Sequence, residues 1–153
     1  MAQDWTKKLS ELASQGTCSK KQVGCFIVKD EEILIEAANG RPGDEQCLTG
    51  NCERCAAADL FPRGRDHDIC SCLHAEQRAI TGAARDGIQL KGARLFSSYQ
   101  PCLTCLKLSV ASGIVAIRYI EPWVVPDVEN LPNLKKDYES LEALLPEGSI
   151  PII

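Results

Sequence analysis

The sequence lacks any long apolar run, and it also lacks a long run of lysine or arginine. A membrane-spanning helix needs about 20 apolar residues, so we expect no membrane span. The N-terminal stretch MAQDWTKKLSEL has no apolar signal-peptide core, so we expect no secretion and a cytoplasmic location. The net charge of −4 does not suit a partner of long nucleic acid, which usually requires a basic face. A small anionic substrate needs only a few well-placed cations and is not excluded.

Cysteine, in contrast, is abundant, with nine among 153 residues. In a chain without a signal peptide, such thiols are more often metal ligands or reduced cysteines than disulfides. The hydrophobic fraction of 44% and the charged fraction of 25% are typical of a globular protein. The length suits one hydrophobic core, and we see no internal repeat. We therefore predict a single domain over residues 1–153.

The order of apolar patterns predicts an α/β fold. A helix over residues 3–14 is followed by two strands, 23–29 and 32–38, which the short connection between them makes a hairpin. Strand–helix–strand alternation in the second half implies right-handed parallel crossovers and helices on both faces of a sheet. The elements predicted there are helices at 73–86, 102–112 and 133–145 and strands at 93–98, 114–120 and 149–153.

Two short motifs predict a catalytic zinc site: HAE at 74–76 and PCLTC at 101–105. Catalytic zinc takes three protein ligands and leaves a fourth position for water. Cys102 and Cys105 lie one helical turn apart and can face one metal, and His74 offers the third ligand. Zinc lowers the pKa of bound water and so creates a hydroxide nucleophile. Glu76 is close enough in sequence to shuttle protons between the water, the ring nitrogen and departing ammonia.

The ordered pattern H-x-E…P-C-x-x-C is the signature of zinc nucleobase deaminases, whereas a lone C-x-x-C would equally suit a closed zinc knuckle with Glu76 on the surface. Three stretches, within about residues 14–123, resemble the deoxycytidylate deaminase branch of the cytidine deaminase superfamily. This resemblance implies a three-layer α/β/α fold with a mixed five-stranded sheet, Zn²⁺, a homo-oligomer (dimer, trimer or hexamer) and hydrolysis of dCMP to dUMP. The stretches are CSKKQVGCFIVKDEEILIEAANG, CLHAEQRAITGAARDGIQLKGARLFSSYQPCLTC and SGIVAIRY.

The resemblance also assigns residue roles. It implies that His74, Cys102 and Cys105 bind zinc, that Glu76 shuttles protons and that Asn39 contacts the substrate sugar. The other expected substrate contacts are Ala75, Arg78, Ser98 and Trp123. Arg78 is chosen because it lies four residues after His74, on the same side of the helix, and Trp123 either stacks on a base or packs in the core.

Three positions depart from the family pattern. Ala38 and Trp123 stand where the family has tyrosine, and Arg78 stands where it has asparagine. All three fall in or near the expected pocket, so they bear on the base and phosphate sites. Arg78 is either a phosphate contact or a partner in a salt bridge.

The segment between the hairpin and the HAE motif, about residues 40–72, is an insertion rich in cysteine, glycine and proline. An irregular loop of this length needs a staple, and several members of the resembled family carry a second zinc there. C-x-x-C at 52–55 followed by His67 and Cys70 is plausible spacing for a closed zinc site, so we predict a second, structural zinc. Which four residues bind stays open, and the alternative is a set of buried or free thiols. The candidate ligands are Cys47, Cys52, Cys55, His67, Cys70 and Cys72.

The function expected from these patterns is deamination of a pyrimidine nucleotide, with dCMP as the first candidate. An enzyme acting on another amino-heterocycle, such as a nucleoside, guanine, a modified dCMP or a nucleoside antibiotic, is the alternative. A polynucleotide editor would need a basic groove, which the acidic composition disfavours. A zinc-stapled interaction module would not need Glu76 beside His74.

Overall fold

The structure is a computed structural model that describes residues 4–18, 20–43, 52–61, 67–123 and 130–152. The elements outside the insertion lie within a few residues of their predicted bounds, as expected when apolar periodicity is strong. The helices are α1 (Trp5–Ala13), α2 (Glu53–Ala56), α3 (Ala75–Asp86), α4 (Leu103–Ala111) and α5 (Leu134–Glu142). The strands are β1 (Gly24–Lys29), β2 (Glu32–Ala38), β3 (Arg94–Tyr99), β4 (Ala116–Glu121) and β5 (Ser149–Pro151).

The strands form one mixed sheet in the order β2-β1-β3-β4-β5. β1 pairs antiparallel with both β2 and β3, whereas β3, β4 and β5 run parallel. Asp30 and Glu31 close the β1–β2 hairpin with φ of 52° and 63°, the positive values that a two-residue turn requires. The predicted five-stranded mixed sheet is confirmed, with the parallel crossovers confined to its second half.

Helix α1 covers one face of the sheet. Leu9 and Leu12 are buried against Phe26, Val28 and Phe96 of β1 and β3. The rings of Phe26 and Phe96 stack with centroids 5.0 Å apart, so this face is sealed by aromatic contact.

Helices α3 and α4 cover the opposite face, and α5 packs on α4. Small residues bring α3 close to the sheet: Ala79 and Ala83 are fully buried. A Cβ at Gly82 would lie 2.9 Å from Cδ1 of Ile35, so this close approach depends on the missing side chain. The arrangement is the predicted three-layer α/β/α fold.

The insertion contains structure that the sequence pattern did not predict. Helix α2 is followed by 3-10 turns at Ala58–Leu60 and His67–Ile69. The backbones of Gly40 and Leu73 exchange hydrogen bonds of 3.1 and 2.8 Å, which tie the two ends of the insertion together at the start of α3. In the described ranges, no helix has the length and apolar character needed to cross a membrane.

Candidate active site

Three side chains from two helix starts converge on one point. His74 is the N-cap of α3, where its backbone N–H donates to Oε1 of Gln77 at 2.8 Å. Cys102 is the N-cap of α4, directly after Pro101, and Cys105 lies in the first turn. Nδ1 of His74 is 3.4 Å from Sγ of Cys102 and 3.3 Å from Sγ of Cys105, and the two sulfurs are 3.5 Å apart.

These distances fit a tetrahedral zinc site. With Zn–S near 2.3 Å and Zn–N near 2.0–2.1 Å, tetrahedral angles place a nitrogen and a sulfur about 3.6 Å apart and two sulfurs about 3.8 Å apart. The three observed separations are a few tenths of an ångström shorter. His74, Cys102 and Cys105 therefore offer a trio of ligands that needs little rearrangement to hold the ion.

The two thiols of the trio differ in acidity. The hydrogen bond from Cys105 outweighs burial and, with the histidines, lowers the pKa of the Cys102 thiol. The same hydrogen bond, together with burial and the charge of Glu76, raises the pKa of Cys105. Burial works to lower the pKa of His74, but the hydrogen bond and charge of Cys102 raise it. The trio thus already contains one favoured thiolate, the form in which cysteine binds metal.

The Glu76 carboxylate lies beside this trio. Its side chain is 3% exposed, and its ligand oxygen is within 4.8 Å of the ligand atoms of His74 and Cys105. Burial raises the pKa of Glu76, although the charge of His74 opposes the shift. Oγ of Ser97, itself fully buried, donates to Oε1 of Glu76 at 3.0 Å. Sequence reasoning did not single out Ser97, and the only available signal was its place on the same face of β3 as Leu95.

A cavity of about 210 Å³ opens beside the trio. Asn39 and Trp123, both predicted substrate contacts, line it. The Asn39 amide accepts from the Val23 N–H at 2.9 Å and donates to the carbonyl oxygen of Lys21, so it also braces the loop before β1. The backbone N–H of Trp123 donates to Oε1 of Gln100 at 2.9 Å.

The other predicted substrate contacts lie elsewhere. Nη1 of Arg78 donates to the Ala38 carbonyl at 3.0 Å, and Oγ of Ser98 accepts from the Gly24 N–H at 3.0 Å. Ala75, the first residue of α3, is fully buried in the core. Among the described residues that line the cavity, none of Ala75, Arg78 or Ser98 is present, so their contact with substrate stays a prediction.

The candidate ligands of the second zinc divide into two places. The ring of His67 meets the His74 ring edge-on at 4.7 Å, and its ligand atom is within 4.8 Å of those of His74 and Cys102. The cysteines instead pack in a separate cluster, which Cys18 joins, while Cys47 lies outside the described residues. This cysteine cluster consists of Cys18, Cys52, Cys55, Cys70 and Cys72.

Known proteins match the part of the chain that carries the zinc-ligand trio. A family model described as the cytidine and deoxycytidylate deaminase zinc-binding region matches residues 1–121. The deoxycytidylate deaminase of Saccharomyces cerevisiae is 36% identical over 130 residues, which are 84% of this chain and 40% of that protein. The chain therefore spans well under half of that relative. The deoxycytidylate deaminase of Mycobacterium phage D29 is 32% identical over 112 residues, which are 70% of this chain and 84% of that protein.

The fold has a solved counterpart. The dCMP deaminase of cyanophage S-TIM5, in its apo form, matches with a TM-score of 0.68 and 22% identity, over 97% of this chain and 94% of that one. Its complex with dCMP and dUMP gives the same TM-score of 0.68. At this level of sequence identity, the likeness shows a shared fold and nothing more.

Proposed function

Because this chain belongs to the cytidine and deoxycytidylate deaminase zinc-binding family, we propose that it hydrolyses dCMP to dUMP and ammonia. The observation that carries the proposal is the buried Glu76 carboxylate beside the trio of His74, Cys102 and Cys105. A closed structural zinc site has no use for such a carboxylate. The cavity of about 210 Å³ beside it can admit the reacting end of a small substrate.

Nδ1 of His74 and the sulfurs of Cys102 and Cys105 would hold the zinc. When bound, the ion acts as a Lewis acid and brings the pKa of a coordinated water toward neutrality. The Glu76 carboxylate is placed to take one proton from the attacking water and pass it to the pyrimidine ring nitrogen, and then to take the second proton from the new C4 hydroxyl and pass it to the leaving amine. The water oxygen becomes the new carbonyl oxygen at C4, and the C4–N bond breaks to release ammonia. Burial suits Glu76 to this work, because it stabilises the protonated form between transfers.

Replacement of Glu76 tests this role. We expect Glu76→Gln to lower kcat for dCMP by about 10²- to 10⁴-fold, because the glutamine amide cannot carry a proton between substrate atoms. The catalytic zinc should stay bound in this variant. Glu36→Gln is the matched control, because Glu36 is a half-exposed carboxylate paired with Lys8 at 2.6 Å. Absorbance and ammonia release would be followed with dCMP, dCTP, cytidine and guanine. Turnover of single-stranded DNA or tRNA but of none of these small amines would contradict the proposal.

We also propose that the cysteine cluster holds a second, structural zinc. Cys52 and Cys72 are buried in it, with Cys18, Cys55 and Cys70 packed around them. Burial works to raise the pKa of Cys52, but hydrogen bonds from Cys55 and the Ser71 backbone lower it to about 6, which favours the thiolate. Four of these five thiols suffice for a closed tetrahedral site.

Metal analysis tests the second site. We expect about two zinc ions per chain in the parent and about one in Cys52→Ser. Cys25→Ala serves as the control, because Cys25 is buried in the sheet core and lies outside the cluster. A parent content near one ion per chain would refute the second site and leave the first untouched.

A homo-oligomer in the cytoplasm completes the proposal. The family resemblance supports it, and edge strand β5 together with exposed Leu144 and Ile150 offers apolar surface for subunit contact. Light scattering on the eluting peak in size-exclusion chromatography would give the mass in solution. A monomer at working concentration would contradict the oligomer without bearing on the chemistry.

A further inference from the structure

One side chain of the insertion, His67, reaches the zinc-ligand trio. It begins the 3-10 turn His67–Ile69, and its ligand nitrogen lies within 4.8 Å of the ligand atoms of His74 and Cys102. Its ring meets that of His74 edge-on at 4.7 Å and lines the cavity beside the trio. The proposed deamination does not use this histidine. The insertion therefore brings a further polar group to the edge of the reacting end.

The position of His67 suits a hydrogen bond to a zinc ligand. A catalytic zinc takes three protein ligands and keeps its fourth position for water. His74, Cys102 and Cys105 already supply the three, so the proposed hydrolysis leaves no position for a further histidine. A hydrogen bond joins the His67 side chain to Cys102 and favours the thiolate, so the imidazole is the donor and the sulfur the acceptor.

The turn that carries His67 is held from two sides. The backbone N–H of Cys70 donates to the His67 carbonyl at 3.0 Å and closes the turn. Cys70 itself packs in the cysteine cluster, which holds the backbone of the turn. The His74 ring holds the imidazole at the other side. The next residue along the turn, Asp68, is exposed to solvent. His67 is thus directed toward the trio by contacts at both ends of its side chain.

We propose that His67 is a positioning residue that donates a hydrogen bond to Sγ of Cys102 and so orients this ligand of the catalytic zinc. The inference rests on the proposed zinc-dependent deamination and adds a residue to that site. Groups that hydrogen-bond to metal ligands tune the metal as well as orient its ligands. The cysteine-rich insertion then takes part in the chemistry, because it carries the donor. The competing role for His67 is that of a ligand to the second zinc.

The experiment separates the hydrogen bond from the ring that makes it. His67→Phe keeps a ring beside His74 but has no donor. His67→Asn and His67→Gln each carry an amide N–H, placed near the position of Nδ1 in the first and of Nε2 in the second. Asp68→Asn is the matched control, because Asp68 is the exposed neighbour in the same turn. Each protein is measured for zinc content at saturation, zinc affinity against a competing chelator, kinetics with dCMP, and the absorption spectrum after cobalt substitution.

We expect His67→Phe to lower the affinity for one zinc ion per chain by about 10- to 100-fold, while zinc content at saturation matches the parent. With zinc in excess, kcat for dCMP should fall and KM should stay within about twofold of the parent, because the bond acts on the metal and not on the substrate. The charge-transfer band from thiolate to cobalt should move to longer wavelength, since a sulfur without the hydrogen bond is a stronger electron donor. At least one of the two amide variants should recover most of the affinity and the band position.

Three results would overturn the inference. Outright loss of one zinc ion from His67→Phe with kcat preserved would assign His67 to the second zinc. A rise in kcat would show that His67 closes the fourth position of the catalytic zinc. A loss of affinity that neither amide variant reduces, or that Asp68→Asn shares, would leave His67 a packing role alone. Zinc affinity and the cobalt spectrum are measured without substrate, so they remain informative even if the parent does not deaminate dCMP, which is how the proposed function would fail.

Discussion

The hydrogen bond between Ser97 and Glu76 gives the sharpest prediction about the reacting end of the site. Both residues are buried, and Oγ of Ser97 donates to Oε1 of Glu76 at 3.0 Å. A hydrogen bond to a charged group contributes about 1.5–3 kcal/mol. Ser97→Ala removes the donor, so the carboxylate loses both orientation and solvation. At about 1.36 kcal/mol per tenfold in rate, we expect kcat for dCMP to fall by about 10- to 150-fold.

The neighbouring serine provides the control for this experiment. Ser98 points to the opposite face of β3, where its Oγ accepts from the Gly24 N–H at 3.0 Å. We expect Ser98→Ala to leave kcat within about twofold of the parent, because it contributes no bond to Glu76. Loss of its predicted contact with substrate would instead raise KM. Steady-state kinetics with zinc analysis on both variants separates loss of chemistry from loss of metal. Parental kcat in zinc-loaded Ser97→Ala, or an equal loss in Ser98→Ala, would refute the reasoning.

Two further predictions concern stability. Leu9 of α1 is fully buried against the sheet, so Leu9→Ala should lower the free energy of unfolding, measured by urea titration, by about 2–5 kcal/mol. The control is Leu60→Ala, which should change this free energy little because the Leu60 side chain is 75% exposed. Equal effects of the two substitutions would contradict the packing of α1. Gly113 and Gly148 have positive φ of 86° and 74°. A Cβ added at Gly113 would lie 3.0 Å from Cα of Lys91, whereas a Cβ added at Gly148 would have no neighbouring atom of the described residues within 4 Å. Alanine at either position should cost about 1–2 kcal/mol for the left-handed backbone, and Gly113→Ala should cost more; calorimetry that ranks them in the reverse order would contradict this.

Most of the fold could be predicted because its signals are local. Alternating and helical periodicities marked the hairpin and the helices that follow the HAE and PCLTC motifs. The helix predicted to begin at Cys102 begins one residue later, so Cys102 is the N-cap and not part of the first turn. Its sulfur still lies 3.5 Å from that of Cys105. Metal-ligand spacing survives such small shifts, since both residues still share one end of one helix.

The insertion could not be predicted in the same way. Helix α2 has four residues, too short for periodicity to show, and its place is set by contacts far away in sequence. Cys18 joins the cysteine cluster from the loop before β1, and no local spacing connects it to Cys52. His67 was grouped with those cysteines by proximity in sequence, yet its ring lies against His74.

The sequence also did not reveal to which face of β3 each of its two serines points. Ser97 and Ser98 are adjacent, and the residues before them, Leu95 and Phe96, are both buried. Because both faces of β3 are covered, the usual contrast between an apolar and a polar face is missing. Only the packing of α3 and α1 on opposite sides decides that Ser97 meets Glu76.

The reacting groups and the cavity wall come from different parts of the chain. His74, Glu76 and Cys105 stand on helices anchored in the core, whereas Lys20 and Arg54 belong to connecting segments. Connections tolerate replacement far better than buried helices do. The molecule is therefore suited to redesign by segment exchange: a foreign β2–α3 connection could be grafted between Gly40 and Leu73, whose paired backbones would fix its ends. Such chimeras would keep the same reacting groups and would differ in substrate preference.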